Sequence, residues 1–313
     1  MSPFRMGVVG VGSMGYNHAR VCAELPEVEL VAVVDSNENV AQSVAEKFSA
    51  QYYTNPQELL GRVDGVAIVT PTAFHYDSSK LFMENGVHVL VEKPITIAAP
   101  EAKELVEIAK AKNLVLQVGH LERFNPAIVK LREMVRCPIM LEAHRLSAMT
   151  NRNLDVGISW DLMIHDYDIM LNLMQEEVVD ICAQGTSVYS DYEDIASVQL
   201  RFQSGAIAHL VASRNSAERS RGLKVTERDG RVLLVDFIEQ TLQVSTIGQD
   251  GRPTPFENIP IAKAEPLKEE LAHFAYCATE HQTPLVSGTD GLRALELAIR
   301  VRAKMNIVKL NAR

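Results

Sequence analysis

Up to His120 the chain alternates short runs of Val, Ile, Leu and Ala with longer stretches whose apolar positions recur at helical spacing. Phe4 to Val9, Val28 to Val34, Gly65 to Val69, Val87 to Val91 and Leu114 to Val118 are close to continuously apolar, the pattern of strands buried on both faces. Gln51 to Thr54 is a shorter strand. Between them lie helical segments: Gly15 to Leu25, Glu38 to Phe48, Pro56 to Leu60 with proline in its first turn, Tyr76 to Asn85 stopped by Gly86, and Ala98 to Lys112. Strand, helix and strand repeated with short connections predict a parallel, doubly wound α/β sheet.

Beyond His120 the texture changes, and the spacing predicts two domains, 1–121 and 122–313, with a helix from Glu122-Arg123-Phe124-Asn125-Pro126 to about Met134. Strand-type segments follow: Ile139 to Leu146, Val178 to Tyr189, Ile195 to Phe202, Ala206 to Ala212, Leu223 to Glu227, Val232 to Val235 and Leu242 to Ile247. Hairpin signals such as Ser204-Gly205 and Asp229-Gly230 make them antiparallel. The expectation is an α+β domain on a large, mostly antiparallel open sheet. One face of it must be covered by helices or by a second subunit, so a homodimer or homotetramer joined through this sheet is expected. A single largely buried helix, Trp160 to Leu171, interrupts the strands. A linker over Gly248 to Pro260, a helix from Pro266 and a last helix over Gly291 to Asn306 complete the chain.

Composition narrows the function. Its 313 residues suit two domains, and 47% hydrophobic with 23% charged residues, at a mean hydropathy of -0.02, disfavour disorder. No apolar run reaches the roughly 18 residues of a spanning helix, and Met1 to Gly10 lacks a signal-peptide cleavage pattern, so a cytoplasmic protein with no membrane partner is expected. A formal charge of -9 argues against nucleic acid as partner. Cys22, Cys137, Cys182 and Cys277 are widely spaced and read as free thiols. Glu142 and His144 share a strand face without a visible third ligand, so no metal site is expected.

The chemistry concentrates in three stretches. Gly10-Val11-Gly12-Ser13-Met14-Gly15 follows a strand and opens a helix, where glycines let the backbone approach a pyrophosphate and the helix start supplies free N–H groups. Asp35 ends the next strand at the spacing of the acid that binds ribose hydroxyls, and with Ser36, Asn37 and Glu38 after it there is no arginine for a 2'-phosphate, which favours NAD over NADP. Asp35 can also cap the following helix. Thr70 to His75 and His120 fall at other strand ends facing the same edge. Val91-Glu92-Lys93-Pro94 stops a strand on charge; alone it fits the polar start of a loop as well as a proton-handling lysine. Asp161 and His165, four apart on the buried helix with Asp168 continuing the stripe, allow a carboxylate to orient an imidazole, or a purely structural pairing with Asp166 or Asp168.

Taken together, Gly10-x-Gly12-x-x-Gly15, Asp35, Thr70-Pro71 with His75, Glu92-Lys93-Pro94, Arg123-Phe124-Asn125-Pro126, Asp161-x-x-x-His165 and Glu265-Pro266-Leu267 before Glu270-Leu271-x-His273-Phe274 resemble the glucose-fructose oxidoreductase and inositol dehydrogenase (Gfo/Idh/MocA) family. The marks span nearly the whole length, and Glu-Lys-Pro with a distant D-x-x-x-H is more specific than the glycines. The resemblance implies an N-terminal Rossmann domain and a C-terminal open-sheet domain, with Lys93, Asp161 and His165 meeting in the cleft between them as catalytic groups. It implies NAD held by Gly10, Gly12, Ser13, Met14, Gly15, Asp35, Thr70, Pro71, His75, Glu92 and Lys93. It implies a substrate held by Lys93, His120, Arg123, Asn125, Asp161 and His165. The expected reaction is hydride transfer from a secondary hydroxyl of a sugar or nucleotide sugar, with His165 or Lys93 as base. Gly119 to Pro126 and Trp160 to Asp166 look most like the UDP-N-acetylglucosamine 3-dehydrogenase branch, whose diphosphate would need partners such as Arg123, Arg145 or Arg152. A free polyol such as inositol is the alternative substrate, and a non-catalytic NAD-binding regulator the alternative class. Thr72, where many relatives have asparagine, and Ser159-Trp160, where many have a glycine-rich approach, leave substrate identity open.

Overall fold

In a computed structural model describing residues 2–149 and 156–309, contacts divide the chain into two units. One comprises Met1–Phe124 with Ala264–Leu295, the other Asn125–Lys263 with Glu296–Arg313.

The first unit opens with β1 (Phe4–Val9), α1 (Ser13–Glu24), β2 (Val28–Val34), α2 (Glu38–Phe48), β3 (Gln51–Tyr53), β4 (Gly65–Ile68), α3 (His75–Glu84), β5 (His88–Glu92), α4 (Ala99–Lys112) and β6 (Leu116–Gly119). Every strand pair is parallel, in the order β3-β2-β1-β4-β5-β6. Met6, Val8, Ala67, Ile68, Leu90 and Val91 are fully buried, so both sheet faces are covered, which is why these strands read as continuous apolar runs. The strand order reverses between β1 and β4, and in such sheets ligands sit outside the carboxyl ends at that reversal.

The second unit contains α5 (Pro126–Met134), β7 (Pro138–Leu146), α6 (Ile158–Asp161), α7 (Met163–Met174), β8 (Val178–Ser187), β9 (Ile195–Phe202), β10 (Ile207–Ser213), β11 (Ser220–Glu227), β12 (Val232–Asp236), β13 (Thr241–Ser245) and β14 (Glu257–Ile259). Of the remaining elements, α8 (Pro266–Glu280) belongs to the first unit, α9 (Gly288–Lys304) begins in the first and ends in the second, and β15 (Met305–Lys309) belongs to the second. The sheet has nine strands in the order β14-β13-β12-β11-β7-β10-β9-β8-β15. β9 and β10 alternate buried and more open residues, the signature of a one-sided sheet, and α7 packs on β7 and β10.

Four expectations change. The β7–β10 and β8–β15 pairs are parallel within the otherwise antiparallel sheet. The last helix ends at Lys304, and Met305 onward pairs as a strand with β8. The helix expected over Trp160 to Leu171 is two helices, interrupted at Leu162. The division of residues falls at Phe124/Asn125, and Ala264–Leu295 returns to the first unit. Leu271, Phe274 and Cys277 of α8 share a core with Met6, Val8, Val21 and Cys22, and Phe274 meets Phe4 edge to face at 6.0 Å. Among the described residues no helix is long and apolar enough to cross a membrane.

Candidate functional site

The β1–α1 turn builds the first part of the site. Gly10 takes φ +86°, a conformation that L side chains rarely adopt, and its N–H donates to Val34 O at 2.7 Å. A Cβ on Gly15 would lie 1.8 Å from Gly10 O, so the helix can start this close to the turn only with glycine there. A Cβ on Gly12 would meet nothing within 4 Å. The open space belongs to a cavity of about 610 Å³ lined by Gly10, Gly12, Ser13, Met14, Asp35, Thr70 and Pro71, among others. Asp35 Oδ2 accepts the Val11 N–H at 2.9 Å and Oδ1 the Asn37 N–H at 3.0 Å, which ties the ends of β1 and β2 together. The cap of α2 is Asn37, whose side chain accepts Val40 N–H, so Asp35 does not serve as that cap. Thr70 Oγ1 is buried without a hydrogen-bond partner among the described residues. An open glycine, an unsatisfied hydroxyl and a ribose-type carboxylate around one cavity fit a dinucleotide.

Next to it, β5 ends on Glu92 and runs into Lys93, joined to Pro94 by a cis peptide. Glu92 Oε2 accepts the Lys93 N–H at 3.1 Å, and Oε1 lies 3.0 Å from His18 Nε2. Burial pushes the Glu92 carboxyl up, but the His18 hydrogen bond and the charges of His18 and Lys93 outweigh it and hold the group below its ordinary value. The His75 ring spans two loops, with Nδ1 2.8 Å from Pro94 O and Nε2 2.8 Å from Thr70 O. Burial lowers its pKa, and the two carbonyls oppose that shift. His75 therefore braces the loops after β4 and β5. His120 is 1% exposed, and burial, reinforced by the Arg123 and Lys93 charges, lowers it to about 3. It is a neutral imidazole at neutral pH.

In the second unit, Asp161 is the last residue of α6 and His165 the third of α7. Both side chains are partly exposed. They lie on either side of the break at Leu162 rather than on one continuous helix. Two buried groups hold this segment. Glu193 receives the Ser159 N–H at 3.2 Å and the Ser159 hydroxyl, while its own carbonyl accepts the Ile158 N–H at 3.0 Å. Arg145 on β7 gives its Nε–H to both Asp166 oxygens at 2.9 Å, with both side chains almost fully buried. Asp166 thus pairs across to the sheet, and Asp168 is buried on the same helix.

Other expected site residues have structural surroundings. Arg123 is 4% exposed and donates to Leu285 O at 2.8 Å. Asn125 caps α5 by accepting Ala127 N–H and donates to Phe237 O at 3.0 Å. Arg145, considered above for a diphosphate, is the buried partner of Asp166, and Arg152 lies outside the described residues. Glu142 pairs with Lys224 at 2.8 Å and His144 bonds Ser220 at 2.8 Å. Sequence reasoning missed His18, Glu193 and the assignment of Glu270 to the first unit's core. The signal for Glu270 was present: it interrupts the apolar stripe Leu267, Leu271, Phe274 of its helix.

Comparison with known proteins matches two stretches of the chain. Residues 4–120 match the model of the oxidoreductase family with NAD-binding Rossmann fold (GFO_IDH_MocA), and residues 134–233 match the GFO/IDH/MocA C-terminal domain. The chain is 36% identical to a UDP-N-acetylglucosamine 3-dehydrogenase of Acidithiobacillus ferrooxidans, over 96% of this chain and 97% of the relative. A solved structure of that enzyme superposes with a TM-score of 0.91 at 36% identity, covering 97% of this chain and 98% of the other. A scyllo-inositol 2-dehydrogenase (NAD(+)) of Bacillus subtilis is 29% identical over 94% of this chain and 92% of its own.

Proposed function

Because the chain belongs to the GFO/IDH/MocA oxidoreductase family, we propose that it is an NAD-dependent dehydrogenase of a nucleotide sugar, oxidising the 3-hydroxyl of UDP-N-acetylglucosamine to a ketone. The observation that carries this reading is the 36% identity, sustained over 96% of the chain, to a relative named for that reaction. NAD, when bound, supplies the hydride acceptor. The residues that would hold it are Gly10, Gly12, Ser13, Met14, Gly15, Asp35, Thr70 and Pro71, supported by His75, Glu92 and Lys93. A carboxylate at Asp35 repels a 2'-phosphate, which supports NAD over NADP.

In this proposal His165 takes the hydroxyl proton and Asp161 orients and stabilises the charged imidazole. Lys93 donates a hydrogen bond to the same oxygen as it gains alkoxide character. The roles of His165 and Lys93 are interchangeable in a coupled pair. His120, a neutral donor and acceptor, completes the polar contacts to the sugar, and Arg123 and Asn125 frame them through the main chain they hold. The proposal extends to a cytoplasmic homodimer or homotetramer joined through the nine-stranded sheet, which carries exposed Ile139, Met140, Val179 and Val308. Light scattering showing only monomer would reject that association.

The second reading, oxidation of a free polyol, rests on the inositol dehydrogenase relative. Purified protein with NAD, offered sugar nucleotides against free inositols and followed by NADH formation, separates the two. Lys93→Met should bind NADH nearly as before and lose roughly 10²-fold or more in turnover. Full turnover in that variant would overturn the role given to Lys93, and NADH formation with inositols alone would overturn the nucleotide-sugar assignment.

A further inference from the structure

Behind the strand end that carries Lys93, three ionisable side chains from three elements meet away from solvent. His18 comes from α1, Glu92 ends β5 and Glu270 lies in the first half of α8. His18 and Glu270 are fully buried, and the Glu92 side chain is 12% exposed. One ring nitrogen of His18 and one carboxylate oxygen each of Glu92 and Glu270 all lie within 4.8 Å of one another. His18 Nε2 and Glu92 Oε1 are 3.0 Å apart, and the other Glu92 oxygen holds the Lys93 N–H. Both Glu270 oxygens, and His18 Nδ1, have no hydrogen-bond partner among the described residues.

An ionised carboxylate in that position would be buried, unpaired and beside a second carboxylate, which carries a heavy desolvation cost. It can be relieved by a cation or by a proton. A cation coordinated by both His18 Nε2 and Glu92 Oε1 would have to break the hydrogen bond they already form. A proton keeps that bond and turns Glu270 into a donor facing an acceptor-rich neighbour. We propose that Glu270 is a neutral carboxylic acid that hydrogen-bonds the Glu92 carboxylate, directly or through one water, so that His18 and Glu270 together fix Glu92 and, through it, the main chain at Lys93. Glu270 is then a positioning residue, and this role rests on the reading of Lys93 given above.

The local electrostatics run the same way. Burial, with the Glu92 charge adding to it, raises Glu270 well above its ordinary value, while Glu92 is held below its own. The pair therefore carries one negative charge. The remaining charged or titratable neighbours of Glu92 are Lys93, which supports its ionised form, and the buried His75.

Isotope-edited infrared spectroscopy of the full chain with labelled glutamate tests the protonation directly. The expected result is a protonated-carboxyl band at neutral pH that Glu270→Gln removes, with no stoichiometric metal in the purified protein. NADH binding tests the positioning. Glu270→Ala, which deletes the donor, should weaken it by about 10-fold, whereas Glu270→Gln, which keeps a donor of the same shape, should restore it to within about 3-fold of the native protein. Absence of the band, one bound metal per chain, or a glutamine variant as impaired as alanine would each overturn the proposal. If the alanine variant fails to fold, the native band and the glutamine variant still decide. A chain that oxidises no sugar would leave the band and the NADH contrast in place, so the two readings fail separately.

Discussion

Replacing Arg145 by methionine probes the buried support of the segment that carries Asp161 and His165. The substitution preserves side-chain bulk but removes the guanidinium whose Nε–H holds both Asp166 oxygens at 2.9 Å, with side chains 2% and 3% exposed. It also removes the stacking of that guanidinium on Phe237, 5.0 Å away. Breaking one side of a buried ion pair costs about 3–5 kcal/mol because the other charge is stranded, and the lost cation–π contact adds about 1 kcal/mol. At roughly 2–4 °C per kcal/mol for a domain of this class, Tm should fall by roughly 8–24 °C. The single tryptophan, Trp160, sits in α6, so its fluorescence in a urea titration follows the second unit. The double variant Arg145→Met with Asp166→Leu should recover most of the loss, since an apolar pair of similar volume needs no partner. Lowering the pH, which neutralises a stranded carboxylate, should recover part of it in the single variant only. A single variant within about 0.5 kcal/mol of native, or a double variant worse than the single, would show that the pair does not support the fold as argued.

Other outcomes follow from the same geometry. Gly12→Ala should fold with native Tm yet lose NADH affinity, because its methyl enters only the open cavity; Gly15→Ala, whose methyl meets Gly10 O at 1.8 Å, should lose both, as thermal melts and titrations will show. His120 is neutral in the fold down to about pH 3 but titrates near 6.5 when unfolded. Its contribution is therefore complete above pH 6.5 and is lost as pH falls toward 3, by up to several kcal/mol. His120→Gln should flatten stability against pH over that window, and an unchanged slope in urea titrations would refute it. Gly157→Ala places a methyl 2.1–2.4 Å from the Glu193 carboxylate at an ordinary φ of -70°, so the start of α6 must shift. The expected cost is about 1–3 kcal/mol of stability with a larger fall in turnover, measured against native protein by urea titration and steady-state kinetics.

Much of the first unit was legible because its physics is local. Parallel strands covered on both faces leave continuous apolar runs, and a turn that needs φ +86° at Gly10 leaves a glycine in the sequence. The second unit was legible strand by strand but not in its pairing. The parallel contact of β7 with β10 depends on what lies between them in the chain, and alternation within a strand carries no record of its neighbour. The break at Leu162 left no sign either, since leucine with φ -99° and ψ -46° is an ordinary helical residue and no proline or glycine marks the spot. Asp161, His165 and Lys93 stood out through their motifs. The groups around them showed only as misfits: Arg145 and Asp166 within apolar patterns, His18 among Ala19, Val21 and Cys22, Glu270 in the stripe of Leu267, Leu271 and Phe274. A charge at a core position must either find an opposite charge or give up its own. Arg145 with Asp166 follows the first course, at 2.9 Å. Glu270, with no donor to either oxygen among the described residues and a carboxylate for a neighbour, is left with the second, and that makes the acid behind Lys93 part of the site rather than part of its packing.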